Sequence, residues 1–500
     1  MQVIADLHLH SRFSRAVSPQ MTIDGIADWA GKKGIGLVAT GDWTHPMWMR
    51  EIGEKLEETG SGLLQLRRAL IGNENLDASS VASSISPSTI TAKSSEAAQN
   101  FVPSRRGTSS PLFLLSTEIS CIYSQGGKTR RVHVLVWVPT IESALKISKE
   151  LTKRGCNVLS DGRPIIGLSL INLSELILTI EPNALIVPAH IWTPWFSVYG
   201  KMGGFESLDE AFGGFAKNIY AVETGLSSSP DMNWRIKDLD SRSIVSFSDA
   251  HSGPKLGREA TVFDLENGSF QNIRTALMLP GQKTEDRKQK AENPSSALRP
   301  QSSNCILYTI EFYPEEGKYH YTGHRDCNVR LTPEETVLKG TTCPVCGKPL
   351  TQGVMQRVEE LVTQMPNAKP ACRRGRCQMI NGLKYYSVEK GIRPPFVMLV
   401  PLQEIIAEAI GSPVASPKTQ AQYNTLTSHF NGEFNMLLHT SISDIASFST
   451  KEIADGVRKV RIGDIVVDPG YDGVFGVVKI WKSEQEKSLV DRSKEQLGLF

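Results

Sequence analysis

Apolar residues gather in short runs through the first 250 positions, and most of these runs end on a side chain that ionises or binds metal. Val3–Ala5 leads into Asp6, Gly36–Thr40 towards Asp42, and Leu112–Thr117 into Glu118. Ala184–Ala189 precedes His190, Ile219–Val222 precedes Glu223, and Ile244–Ser248 precedes Asp249. Val132–Val138 departs from the pattern, carrying His133 near its start. Short unbroken apolar runs read as buried parallel strands, and helix-like stretches such as Ile23–Lys33 lie between them. Functional groups at the carboxyl ends of strands are what a βα barrel offers. Seven such runs, not eight, predict an α/β fold with a distorted seven-stranded barrel over residues 1–283.

The pattern then changes. Eleven serines between Ser79 and Ser110, with little periodic apolar content, predict a disordered surface insertion at about 77–110. Residues 284–303 are rich in Lys, Gln, Pro and Ser and read as a linker. A compact cysteine-containing unit follows over 304–366, then a basic loop segment over 367–393. A mixed, mainly helical domain is expected over 394–482, with helices near Leu402–Ile410 and Ala421–Phe430. Ile465–Val467 and Val474–Ile480 flank Asp-Pro-Gly and Asp-Gly turn signals and read as a hairpin. The charged tail, 483–500, is expected to be flexible.

Composition narrows the class. A chain of 500 residues exceeds what one core usually organises. Lys plus Arg number 55 against 53 Asp plus Glu, a net of +2, which excludes polyanion binding by bulk charge but not by a local basic patch. No apolar run approaches the roughly 18 residues of a membrane span. Eight clustered cysteines do not make a secreted disulfide scaffold. A cytoplasmic protein with no membrane partner is expected.

The histidines carry the chemistry. Six of the ten lie at positions 8, 10, 45, 133, 190 and 251. The alternation His8-Leu9-His10 puts two imidazoles on one face of an extended segment, and Asp249-Ala250-His251 repeats the geometry with a carboxylate first. With Asp42, His45, Glu118, His133 and His190, the donors exceed one metal's needs. Carboxylates beside imidazoles suit two or three divalent cations such as Zn²⁺, Mn²⁺ or Mg²⁺. Such centres lower the pKa of a bound water to about 7 and suit phosphoester hydrolysis. Asp6 is expected to support His8 from behind, and Glu223 either to orient a ligand or to face substrate.

These residues carry a resemblance. Asp6-Leu7-His8-Leu9-His10-Ser11, Thr40-Gly41-Asp42-Trp43-Thr44-His45, Glu118, His133, His190 and Ser248-Asp249-Ala250-His251 are similar to motifs of the PHP (polymerase and histidinol phosphatase) metallohydrolases. The resemblance implies a distorted seven-stranded barrel with a trinuclear centre. His8, His10, Glu118 and Asp249 would hold one metal, and Glu118, His133 and His190 a second. His251 with Asp42 or His45 would hold a third. Many members add a histidine where this chain has Ala16, so the third set is incomplete by that pattern.

His324-Arg325-Asp326-Cys327 and Cys343-Pro344-Val345-Cys346-Gly347-Lys348 have the spacing of a structural zinc site. His324, Cys327, Cys343 and Cys346 are the expected ligands, with His320 a weaker candidate for the histidine. Cys372 and Cys377 read as free thiols or an occasional redox pair. The order of barrel motifs, knuckle, Val400–Ala409 and Asp468–Gly476 resembles the endonuclease Q family. The resemblance covers about residues 1–75, 111–283 and 304–482. It implies a DNA repair endonuclease cutting the backbone 5′ of deaminated bases (hypoxanthine, uracil, xanthine) and abasic sites, with double-stranded DNA as partner. A recessed site requires the lesion to be flipped out of the stack. Trp43, Trp48, Trp192 and Trp195 are candidate pocket or gap-filling residues, each with ordinary packing as the alternative. Lys369, Arg373, Arg374 and Arg376 make a candidate phosphate patch, with solvated loop charge as the alternative.

The closing Gln496-Leu497-Gly498-Leu499-Phe500 resembles the bacterial sliding-clamp-binding peptide, and packing back on the protein is the alternative. The reading is therefore a metal-dependent DNA endonuclease tethered to a clamp and associated with the nucleoid when on DNA. A PHP-type phosphoesterase acting on small phosphate esters or DNA ends stands second. A non-catalytic DNA or clamp adaptor with a structural barrel stands third.

Overall fold

The computed structural model describes residues 1–67, 110–278, 304–364, 376–388 and 393–482. The Ser-rich insertion up to Ser109, the 284–303 linker, Lys369, Cys372, Arg373, Arg374 and the tail with its Gln496–Phe500 peptide fall outside the described residues.

The chain is a mixed α/β protein whose largest sheet has 13 strands among the described residues. Gln2–Asp6 (β1) lies parallel to Leu37–Ala39 (β2), which lies parallel to Leu112–Gln125 (β3). The all-parallel expectation fails next. Strand β3 turns directly into Lys128–Val138 (β4) as an antiparallel hairpin, and β4 pairs antiparallel with Leu185–Pro188 (β5). The cause is local, because Gly126 and Gly127, at φ 62° and 73°, close a two-residue turn that leaves no room for a crossover helix. Ala221–Glu223 (β6) and Ser243–Val245 (β7) pair in parallel, while Ala260–Asp264 (β8) runs antiparallel along the other edge of β1.

The carboxyl ends of these strands are laced together. Ile191 N–H donates to Glu223 O at 3.1 Å, Thr224 N–H to Val245 O at 3.0 Å, and His10 N–H to Ala250 O at 3.0 Å. Side chains divide by strand parity. Val3, Ala5, Leu37, Leu114, Leu135, Trp137, Leu185, Val187, Ala221, Val245 and Phe263 form one buried cluster, while Ile4, Val38, Val134, Val136 and Ile186 join the larger cluster. The Ile23–Lys33 helix falls where its apolar spacing predicts, capped by Thr22 at its start and by Gly34 at φ 82° at its end.

The sheet crosses the expected 283/304 and 366/394 boundaries. Cys305–Glu311 (β9) pairs antiparallel with β8, and Phe396–Met398 (β10) lies parallel to β9. Of the expected basic loop, residues 376–388 are a hairpin, Arg376–Ile380 with Leu383–Ser387, joined to β10. Its Asn381-Gly382 turn, both at positive φ, is a strong hairpin signal that outweighs the segment's charge.

Five helices follow: Leu402–Ile410, Pro417–His429, Glu433–Leu438, Ile442–Phe448 and Lys451–Ile462. The second starts earlier than its apolar residues suggest, because Ser416 caps it and Pro417 fits a first helical turn. They dock on Ile23–Lys33, where the buried Lys33 ammonium meets Glu433 at 2.7 Å. Val466–Asp468 and Val477–Lys479 form the expected antiparallel hairpin. No helix among the described residues is long and apolar enough to cross a membrane.

Candidate metal centre

Strand ends build the site. Glu118 lies two residues from Ser120, whose cross-strand partner is His133, so the two-residue period puts Glu118 and His133 on one face. Asp42, His190 and Asp249 follow strands or their extensions with φ of 47°, 28° and 47°. Such left-handed conformations are costly for residues with a Cβ and here redirect the chain at the strand ends.

Two trios of donors result. His8, His10 and Asp249 form one, Glu118, His133 and His190 the other. In the first, Asp249 Oδ1 lies 3.1 Å from His10 Nε2 and 3.6 Å from His8 Nε2. In the second, Glu118 Oε1 lies 2.8 Å from His133 Nδ1 and 3.0 Å from His190 Nε2, and those nitrogens are 3.3 Å apart. Ligands at about 2.0–2.1 Å from a cation stand about 2.9–3.4 Å apart, so the second trio needs little adjustment. Glu118 also joins the trios, its Oε2 being 3.5 Å from His10 Nε2.

Buried, unpartnered atoms point to the same use. His8 Nε2, His10 Nε2 and Asp249 Oδ1 have no hydrogen-bond partner among the described residues, which is costly unless something charged occupies the space between them. The opposite ring nitrogens are fully engaged. Glu223 takes His8 Nδ1 at 2.8 and 3.0 Å and the His190 amide at 2.8 Å. Asp42 takes His10 Nδ1 at 3.1 Å and also accepts from the Ser11 amide, the Ser11 hydroxyl and the Ser14 hydroxyl. A carboxylate behind each imidazole fixes its tautomer and turns Nε2 towards the trio.

Burial disfavours the imidazolium at His8, but Glu223, Asp249 and Glu118 outweigh it and hold its pKa at about 9. At His10, Asp42 and Asp249 outweigh burial in the same way, to about 10. At Asp249 and Glu118 burial is likewise outweighed, and the facing histidines hold both carboxyls below their usual range. Burial drives His133 the other way, to about 4.

Four other expected residues stand outside the two trios. Asp42 stands behind His10 and belongs to neither trio. His45 stacks on Phe13, with ring centroids 4.6 Å apart, and its Nε2 meets Leu159 O at 3.2 Å. His251 lies beside the first trio, its ring 4.8 Å from that of His10 and its Nδ1 on the Asp249 carbonyl. Asp6 does not touch His8. It accepts from the amide and hydroxyl of Ser248 and from the Gly257 amide, tying down the segment that carries Asp249. Side chains that hold backbone distant in sequence look like ligands in a sequence, and only the packing separates them.

In a separate group, His324, Cys327, Cys343 and Cys346 bring their donor atoms within 4.8 Å of one another. Burial raises the Cys343 thiol, but the Cys346 and Val345 amides facing its sulfur outweigh this and bring it to about 6. Gly347, at φ 74°, permits that knuckle. His320 is buried elsewhere and takes no part.

The chain is 30% identical to the uncharacterised protein YqxK of Bacillus subtilis over 349 residues, 70% of this chain and 74% of that one. It is 26% identical to the uncharacterised protein MJ0043 of Methanocaldococcus jannaschii over 294 residues, 57% of this chain but only 31% of the longer relative. Residues 401–464 match the MJ0043 C-terminal domain. Two solved structures agree with it almost end to end. The lesion-specific endonuclease PfuEndoQ of Pyrococcus furiosus is 26% identical with a TM-score of 0.69, covering 97% of both chains. An endonuclease Q complexed with a 27-mer duplex substrate with an abasic lesion at the active site is 27% identical, also at 0.69, covering 96% and 97%. The chain belongs to the endonuclease Q family.

Of the four candidate tryptophans in this member of the endonuclease Q family, three take the alternative of ordinary core packing. Trp43, Trp48 and Trp192 are buried, with indole N–H groups donating to Val136 O, Gly41 O and Asn233 Oδ1. Trp195 is 38% exposed and lies edge-on to Tyr319, with centroids 5.1 Å apart. Arg376 and Cys377 are exposed on the hairpin. The sequence reading missed Arg163, whose guanidinium donates to Glu118 Oε2 at 3.1 Å. A lone Arg in a polar loop carries no spacing signal.

Proposed function

We propose that this protein is a DNA repair endonuclease that hydrolyses the phosphodiester backbone on the 5′ side of deaminated bases and abasic sites. The carrying observation is the likeness to endonuclease Q structures along 96–97% of the chain, one of them holding an abasic duplex, together with both donor trios at the strand ends. The cluster drawn from β1 to β7, laced at its carboxyl ends, supports the distorted seven-stranded barrel. His8, His10, Asp249, Glu118, His133 and His190 would hold two divalent cations, with Glu118 between them, and His324, Cys327, Cys343 and Cys346 a structural zinc.

Divalent cations held by these residues would supply Lewis-acid chemistry for phosphoester hydrolysis. The chain's own groups set the geometry. Glu223 and Asp42 fix His8 and His10, Asp6 anchors the Asp249 segment, and the buried walls exclude bulk water, which strengthens each charge interaction. Such a recess admits a nucleotide only when it leaves the stack, and unpaired or mispaired lesions leave it at least cost. Trp195, Tyr319 and the exposed Phe475, whose ring lies 4.4 Å from Lys318 Nζ, offer aromatic surface leading away from the His190 loop. The sliding-clamp reading of Gln496–Phe500 stays a proposal from sequence, tested by clamp pull-down with and without those five residues.

The test uses end-labelled duplexes carrying one deoxyinosine, deoxyuridine, abasic site or normal base, with Mg²⁺ or Mn²⁺ and with chelator. A single metal-dependent cut 5′ of the lesion is expected. Phosphate release from small esters, with no cut at any lesion, would move the case to a general phosphoesterase. Duplex binding without hydrolysis would leave an adaptor.

A further inference from the structure

The loop Leu159–Arg163 is fastened over the metal centre at several points. Gly162 N–H donates to Phe13 O at 3.0 Å, Thr44 Oγ1 to Gly162 O at 3.3 Å, and His45 Nε2 meets Leu159 O at 3.2 Å. Asp161 accepts from the amides of Arg163 at 3.1 Å and Arg15 at 3.4 Å. The approach is so close that a Cβ on Gly162 would lie 2.4 Å from Asp42 Oδ2 and 2.5 Å from Ser14 Oγ, so only glycine fits. The loop ends by delivering the Arg163 guanidinium to Glu118, the carboxylate between the two donor trios.

An arginine has five N–H donors, and Arg163 spends one on Glu118; among the described residues no other partner takes the rest. Its side chain is a quarter exposed. Loading cations into the trios would draw Glu118 towards them and add positive charge beside the guanidinium, which favours an entering anion. Thr44 and His45, the latter one of two expected alternatives for a third metal's ligand set, both contact this loop.

We propose that Arg163 is a phosphate-binding catalytic residue, holding a non-bridging oxygen of the scissile phosphodiester, and that Thr44, His45 and Gly162 are the positioning residues that put it there. The proposal rests on the phosphodiesterase reading for its substrate, but not for the anion chemistry. A planar fork of donors matches a phosphate oxygen pair better than an ammonium does. Arg163 thus supplies fixed positive charge beside Glu118.

The test compares the full-length, metal-loaded protein with Arg163→Ala and Arg163→Lys in three measurements: bound metal per chain, affinity for inorganic phosphate by calorimetry, and cleavage of lesion duplex. Unchanged metal content with phosphate affinity about 10- to 100-fold weaker in Arg163→Ala is expected, as for loss of one charge-assisted donor pair, with Arg163→Lys in between. Cleavage should fall chiefly in kcat. Phosphate affinity equal to wild type would overturn the proposal. So would loss of bound metal in Arg163→Ala, which would make the arginine a mere support for Glu118. Wild-type protein that binds phosphate through Arg163 yet cuts no lesion would sink the DNA reading and keep this one.

Discussion

Replacing Glu223 with Gln tests whether the carboxylate behind His8 governs the metal centre. Glu223 is fully buried and holds three contacts: His8 Nδ1 at 2.8 and 3.0 Å, and the His190 amide at 2.8 Å. With Nε2 facing the trio, His8 Nδ1 must carry the proton, so both partners are donors. Gln keeps the volume but offers one oxygen and one NH2. If the oxygen takes the His190 side, the NH2 faces a donor at 2.8 Å; if it is flipped, the His190 amide is orphaned. Either arrangement leaves a buried donor unsatisfied, costing about 1–3 kcal/mol. Loss of the charge also removes the main attraction that holds the His8 ring in place. Metal affinity should fall about 10- to 100-fold, equivalent to about 1.4–2.7 kcal/mol. Chelator competition monitored by metal analysis measures this, with thermal unfolding in parallel. Affinity within twofold of wild type alongside a lower Tm would refute the argument, making Glu223 a structural group only.

Cys343→Ser should lower bound zinc by one per chain and loosen the His324–Cys346 unit, whose own buried core among the described residues is Leu331, Cys343 and Leu350, while metal at the His8 and Glu118 trios stays; zinc content and limited proteolysis check it. Glu311 gives a pH dependence. Burial holds its pKa up to about 8, far above an unfolded glutamate, so the folded state keeps a proton that the unfolded state releases. Stability should therefore fall as pH rises from about 4.5 to 8, on the order of a kcal/mol per unit, and Glu311→Gln should flatten that slope; denaturant midpoints at pH 6 and 8.5 decide. Trp43→Ala should cost about 3–5 kcal/mol of stability as a core cavity. Trp195→Ala should leave Tm nearly unchanged while weakening duplex binding by gel shift, and the reverse pattern would overturn the assignment of these two rings.

Periodicity and spacing were enough for much of this protein. Runs ending in His, Asp and Glu placed the strand ends, because alternation and apolar length are local properties of a chain. The helices Ile23–Lys33 and Leu402–Ile410, the Asp-Gly hairpin and the gathering of Cys343 with Cys346 were legible for the same reason: each is determined by residues close in sequence. The Gly126-Gly127 and Asn381-Gly382 hairpins carried equally local signals, hidden by the expectation of parallel strands and of a charged loop.

What sequence alone left open was the division of labour among similar side chains. Asp42 and Asp249 both follow apolar runs, yet one braces an imidazole from behind and the other faces its Nε2. Asp6 holds the Ser248 segment and leaves the bracing of His8 to Glu223, and His45 contacts a loop. Three tryptophans turned inward and one outward. A ligand, its brace and a backbone cap share the same chemistry, so what separates them is which neighbour stands within about 3 Å. Contacts spanning 30 to 240 residues set that, and only the closed fold brings them together.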